Sequence, residues 1–289
     1  MTKTKKIAFQ GERGANSHIA CLAAYSNYEP IACATFDEAL NAVAASNADL
    51  AMIPIDNSIA GRVADIHHLL PKANLHIIGE YFLPIHFQLV APKGATLSTI
   101  ETVESHIHAL GQCGRFINEH GYKPVTAADT AGAARHVAEA NDTSRAALAH
   151  RLAGEIYGLD VLADNVEDAA HNTTRFVVLS REPRRLAPGG GPTITTFIFR
   201  VRNWPAALYK ALGGFATNNI NMTKLESYML EGHFFATMFY ADVEGHPDDP
   251  ALKYALEELK FFSQEGSLKI LGVYPASSHR TEYTEEKTD

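Results

Sequence analysis

Along the first 180 residues, short β-rich apolar runs alternate with stretches of helical spacing. KKIAF (5–9) predicts a strand, followed by the turn Gly11-Glu12-Arg13-Gly14 and a helical stretch, NSHIACLAAY (16–25). Thr35 followed by Glu38 reads as a capping box, the threonine satisfying a free N–H while the glutamate reaches back. The helix it opens, FDEALNAVAAS, leads into the apolar strand DLAMIPI (49–55). Further strands are expected at 75–82, 85–91, 145–149 and 175–180, and helices at 62–70, 109–120 and 131–140. This alternation favours mostly parallel sheets flanked by helices, an α/β class. REPRRLAPGGGPT (181–193) interrupts the pattern, because its prolines and glycines hold neither a helix nor a central strand. Beyond it come strand ITTFIFRV (194–201), helix 205–219, two strands around Gly232, helix 251–262 and strand 268–274. That βαββαβ order predicts a ferredoxin-like unit. The polar tail from Ala276 onward is expected to fray.

Composition narrows the function classes. With 25 basic against 33 acidic side chains the formal net charge is −8, which argues against nucleic acid as a partner. Cys21, Cys33 and Cys113 are odd in number and lack C-x-x-C spacing, so neither a disulfide framework nor a zinc site is suggested. No apolar run reaches the roughly 18 residues of a membrane span. After the basic start MTKTKK only Ile7-Ala8-Phe9 is apolar, too short for a signal core, and a cytoplasmic protein is expected. His67 and His68 lie on adjacent helix faces and His106-x-His108 lacks a third ligand, so no metal is expected.

Three polar clusters could carry chemistry. The GERG turn, between a strand and a helix, could bring backbone N–H groups to an anion or simply be a tight turn. Residues 54–61, PIDNSIAG, follow a buried strand; Asn57 and Ser58 could face a cleft or cap the next helix. In HNTTRF (171–176), Arg175 offers a fork for a carboxylate and the hydroxyls can donate to a leaving oxygen. Alternatively, Arg175 pins a loop to Asp164, Glu167 or Asp168.

From Lys6 to Pro275 the chain resembles the prephenate dehydratase family, a catalytic domain followed by an ACT regulatory domain. The resemblance rests on six stretches in order: GERGANSHIA (11–20), PIDNSIAG (54–61), SHIHALGQC (105–113), ALAHRLAGEIYGL (147–159), NTTRF (172–176) and NMTKLES (221–227). It implies a cofactor-free lyase converting prephenate to phenylpyruvate, carbon dioxide and water in phenylalanine biosynthesis. It further implies two α/β lobes with a cleft between them (about 7–80 plus 164–180, and 83–162) within a catalytic domain at 5–181. A linker at 182–193, an ACT domain at 194–275 and a flexible tail at 276–289 follow. By motif match Thr174 is the catalytic residue, donating to the leaving hydroxyl, and Arg175 holds a substrate carboxylate. Asn57, Ser58, Ser105 and Gln112 bind substrate. Asp56 replaces the family's usual Glu, and Ile107-His108 its Pro-Gln. The family's Gly-Ala-Leu effector turn reads Ala206-Ala207-Leu208 here, and its Glu-Ser-Arg-Pro reads Glu226-Ser227-Tyr228-Met229. Ala207, Leu208, Glu226 and Ser227 are therefore expected at a phenylalanine effector site, in a homodimer or tetramer paired partly through Phe234, Phe235, Phe239 and Tyr240. The rivals are an arogenate dehydratase, sharing these motifs, and a non-catalytic sensor of small carboxylates.

Overall fold

The structure is a computed structural model and describes residues 4–63, 66–202, 204–229 and 238–280. The chain divides into two compact units, 1–63 with 81–176, and 64–80 with 177–289. It runs β1 (Lys6–Gln10), α1 (Asn16–Ala24), β2 (Glu29–Cys33), α2 (Phe36–Ala44), β3 (Leu50–Asn57), β4 (Gly61–Arg62), α3 (Ile66–Leu69) and β5 (His76–Pro84). There follow β6 (Gln88–Ala91), β7 (Thr102–His106), α4 (Ile107–Gln112), α5 (Gly114–His120), β8 (Lys123–Ala127), α6 (Thr130–Ala140), β9 (Arg145–Ala149), α7 (Arg151–Tyr157), β10 (Asp160–Ala163) and β11 (Thr173–Ser180). The last elements are β12 (Thr193–Phe199), α8 (Ala207–Thr217), β13 (Met222–Tyr228), β14 (Met238–Glu244), α9 (Pro250–Phe262) and β15 (Lys269–Pro275).

Two lobes make up the first unit. In one, β1 pairs in parallel with both β2 and β3, and β11 neighbours β3. Thr35 caps α2 as expected, accepting from the Glu38 N–H at 3.1 Å, while the Glu38 carboxylate reaches back one residue past the cap and accepts from the Ala34 N–H at 2.9 Å. The second lobe is a five-stranded sheet in the order β10-β6-β9-β7-β8. Its β7 pairs in parallel with β8 and β9, whereas β6 runs antiparallel to β9 and β10, so the sheet is mixed rather than mostly parallel. Alanines dominate the contact of α6 and α7 with this sheet (Ala131, Ala133, Ala134, Ala147, Ala149, Ala153), which lets helix and strand backbones approach closely.

In the second unit, β13-β14-β12-β15 is the strand order of a ferredoxin-like βαββαβ sheet, and β5 follows β15. Helices α8 and α9 cover one face over Phe197, Phe199, Phe215, Phe239 and Leu252, among others. Burying each such side chain is worth roughly 1.5–3 kcal/mol. On β14, Tyr240 alternates with Phe239 and meets the His67 ring of α3, centroids 5.1 Å apart. Phe239 and Tyr240 are thus both core residues, not the apolar pairing surface expected of them, and Phe234, Phe235 and Gly232 lie outside the described residues. β15 meets β5 at Gly272↔Ile77, where the Ile77 carbonyl oxygen leaves no room for a Cβ on residue 272.

Three local expectations are corrected. The helix foreseen over 62–70 is reduced to Ile66–Leu69, since Gly61 and Arg62 instead pair back onto Asn57 and Asp56. The helix foreseen over 109–120 breaks at Cys113 into α4 and α5. The first residues of the tail are held: Arg280 donates to both oxygens of the buried Glu80 carboxylate, at 2.7 and 2.8 Å, and Ser277 N–H adds a third bond.

Candidate functional site

The Asn57–Gly61 turn closes the β3–β4 hairpin, with Gly61 in the left-handed region at φ 79°. Asn57 Oδ1 accepts from the backbone N–H groups of Ile59 (3.0 Å) and Ala60 (2.7 Å). Asn57 and Ser58 therefore shape a hairpin turn and do not cap a following helix. The Asn57 amide nitrogen then donates to Asn172 Oδ1 at 2.7 Å and to Thr174 Oγ1 at 3.0 Å. Asn172 in turn donates to Gln112 Oε1, 2.9 Å away at the end of α4 in the other lobe. Ser58 sits alongside: its hydroxyl donates to the His171 carbonyl at 2.8 Å and accepts from Thr173 N–H at 2.9 Å. Four expected residues, Thr174, Asn57, Ser58 and Gln112, thus come together around an unforeseen one, Asn172.

Arg175 and Ser105 stand apart from that group. Successive strand residues face opposite ways, so Arg175 points away from the Thr174 side and meets Asp56, which alternates with Asn57. The guanidinium and carboxylate are 3.5 Å apart, and the Arg175 side chain is only 7% exposed. The alternative anchors have other partners: Asp164 takes Arg151, Asp168 takes Arg115, and Glu167 takes His86 and the Phe87 N–H. Ser105 is fully buried in β7 and donates to the Leu148 carbonyl at 2.6 Å.

The GERG turn joins the two lobes. Gly14, at φ 95°, lies so close to Ala153 of α7 that a Cβ would stand 2.8 Å from its Cα. The Gly14 N–H is taken by His18 Nδ1, at 3.0 Å, and burial holds the His18 imidazole below its ordinary pKa. Arg135 of α6 grips Glu12 through bonds of 2.8 and 2.9 Å, which hold the Glu12 carboxyl below the usual range. The turn is an interlobe contact; nothing in the sequence signalled Arg135 as its partner. Beside Gln112, burial first and then Glu167 and Asp168 push the Cys113 thiol up, so it is a poor thiolate.

In the second unit, Ala207 is buried at the start of α8 and Leu208 packs against the core. Ala206, where the family's turn has glycine, adopts the left-handed φ 58°, ψ 23°. On β13, the first strand in the order, Glu226 receives Lys224 Nζ at 3.4 Å and Ser227 is exposed. Tyr228, in place of the family's arginine, is buried against His67 and His68 of α3. Met229 is exposed.

A family model described as prephenate dehydratase matches residues 7–184. A protein of Komagataeibacter europaeus named as a bifunctional N-acyl-homoserine lactone acylase/prephenate dehydratase is 50% identical, over 97% of this chain and 99% of its own. An Arabidopsis thaliana protein named as an arogenate dehydratase/prephenate dehydratase is 37% identical, over 94% of this chain and 73% of its own. Among solved structures, prephenate dehydratase from Arthrobacter aurescens in complex with L-Phe aligns at a TM-score of 0.84 with 29% identity, covering 97% of each chain. No helix among the described residues is long and apolar enough to cross a membrane.

Proposed function

Since the chain belongs to the prephenate dehydratase family, we propose that it converts prephenate to phenylpyruvate, carbon dioxide and water in the cytoplasm, as a step in phenylalanine biosynthesis. It is a hydro-lyase, which sets aside the sensor reading. The observation that carries the proposal is the hydrogen bond from Asn57 to Thr174 Oγ1. That bond occupies a lone pair of the hydroxyl and leaves its hydrogen to be donated elsewhere. A threonine hydroxyl is a weak acid, so its role is to donate a hydrogen bond to the hydroxyl as the carbon–oxygen bond breaks. The ring carboxylate leaves as carbon dioxide, its electron pair enters the ring, and aromatisation drives the step. Gln112 faces the dianion, while Asn57 and Ser58, whose side-chain hydrogens go to Asn172, Thr174 and the His171 carbonyl, hold Thr174 in place. Arg175 supports the site from the opposite strand face through Asp56. No cofactor takes part.

The 50% identical relative, named for prephenate dehydratase, supports prephenate as the substrate, and the 37% identical one, named for both activities, keeps arogenate as the rival. The L-Phe complex supports phenylalanine as effector and the βαββαβ unit as an ACT module. Ala207, Leu208, Glu226 and Ser227 would line that effector site, in a homodimer or tetramer. The same 50% identity supports a second activity, hydrolysis of the amide bond of an N-acyl-homoserine lactone to a fatty acid and homoserine lactone.

Purified protein incubated separately with prephenate, arogenate and an acyl-homoserine lactone tests these readings. Phenylpyruvate from prephenate is the expected product. Phenylalanine from arogenate with no turnover of prephenate would overturn the substrate assignment, and an intact lactone amide would remove the second activity.

A further inference from the structure

We propose that Asn172 is a positioning residue that sets the donor sense of the Gln112 side-chain amide, so that Gln112 presents its Nε2 hydrogens to the substrate; this rests on the dehydratase reading above. The argument begins at the turn. Backbone N–H groups only donate, so the Asn57 atom facing Ile59 and Ala60 is its oxygen. Its amide nitrogen therefore faces Asn172, and only an acceptor, Asn172 Oδ1, fits there at 2.7 Å. The Asn172 nitrogen is then turned to Gln112, whose facing atom must be Oε1, at 2.9 Å. Each amide fixes the next, from two backbone groups in one lobe to a side chain in the other.

The surroundings leave little else free to vary. Asn172 is 2% exposed, and its carbonyl accepts from Ile85 N–H at 2.8 Å. The Gln112 carbonyl accepts from Asp168 N–H at 2.7 Å. An amide turned over by 180° keeps its shape and reverses its chemistry. Prephenate offers carboxylate and keto oxygens, so an amide nitrogen facing it attracts and an amide oxygen repels.

Asn172→Asp tests this, because the carboxylate keeps the acceptor for Asn57 but replaces the donor facing Gln112 with a second acceptor. Gln112 must then turn its nitrogen to residue 172 and its oxygen to the substrate. We expect kcat/KM for prephenate to fall about 10- to 100-fold, mostly through KM. In a Gln112→Ala background the same substitution should cost less than about threefold. The added charge repels the dianion in both backgrounds, so equal losses in the two would overturn the proposal. Asn172→Ala, which removes the donor without adding charge, should show the same non-additivity. The Gln112 side-chain amide resonance gives a reading without substrate. It should move in Asn172→Asp as its hydrogens gain a carboxylate partner, and an unmoved resonance would contradict the mechanism. Absence of prephenate turnover by the unsubstituted protein would defeat the dehydratase reading, with the resonance still deciding the amide's sense.

Discussion

Asp56 and Arg175 meet at 3.5 Å on the strand faces turned away from Asn57 and Thr174. The dehydratase signature is thereby split: its hydroxyl joins an amide network while its guanidinium holds a carboxylate. Asp56 is one methylene shorter than the family's glutamate, and this pairing still forms.

Arg175→Lys keeps the charge and loses the planar fork. The expected outcome is a lowered melting temperature with KM for prephenate little changed, because the guanidinium meets Asp56 on the face turned away from Thr174. A KM raised about tenfold with the melting temperature unchanged would instead place Arg175 on a substrate carboxylate.

Glu12 and Arg135 give the interlobe contact a pH dependence. The Glu12 carboxyl is held low chiefly by its hydrogen bond from Arg135, so its contribution is present above the pKa of the unfolded chain. It is lost as pH falls through the lower folded value. Arg135→Met should therefore lower the urea midpoint at pH 7, and the difference from the unsubstituted protein should shrink as pH drops below about 4. A difference that does not change with pH would show that packing, not charge, makes the contact.

Ala206 sits in the left-handed region, which costs an L-residue roughly 1–2 kcal/mol. Part of that is returned to the unfolded chain's freedom on substitution by glycine. Ala206→Gly should still raise stability by about 0.5–1 kcal/mol and tighten phenylalanine binding, followed by thermal unfolding and calorimetry. No phenylalanine binding at millimolar concentration in either protein would contradict the effector assignment.

Where a strand buries both faces its apolar run announces it, as with β3, β9 and β11. β2, β8 and β10 passed unnoticed because they end their sheets. Pro30 and Pro124 are tolerated in such edge strands, and the outward residues of β8 are exposed. β7 was hidden for another reason: its buried Glu104 is satisfied by Arg145, a pairing across 41 positions that no local pattern reveals. The candidate site divides in the same way. Thr174, Asn57 and Gln112 were legible as motif positions. Asn172 as the connector was not, because it joins residues 115 and 60 positions away in the chain.

Turnover of prephenate by Thr174→Val and Thr174→Ser, beside the unsubstituted protein, tests the central claim most directly. Valine keeps the threonine shape without the hydroxyl; serine keeps the hydroxyl. The account predicts that Thr174→Val loses about 10²-fold or more in kcat with KM little altered, and that Thr174→Ser recovers most of the rate. Near-full turnover by Thr174→Val would contradict it.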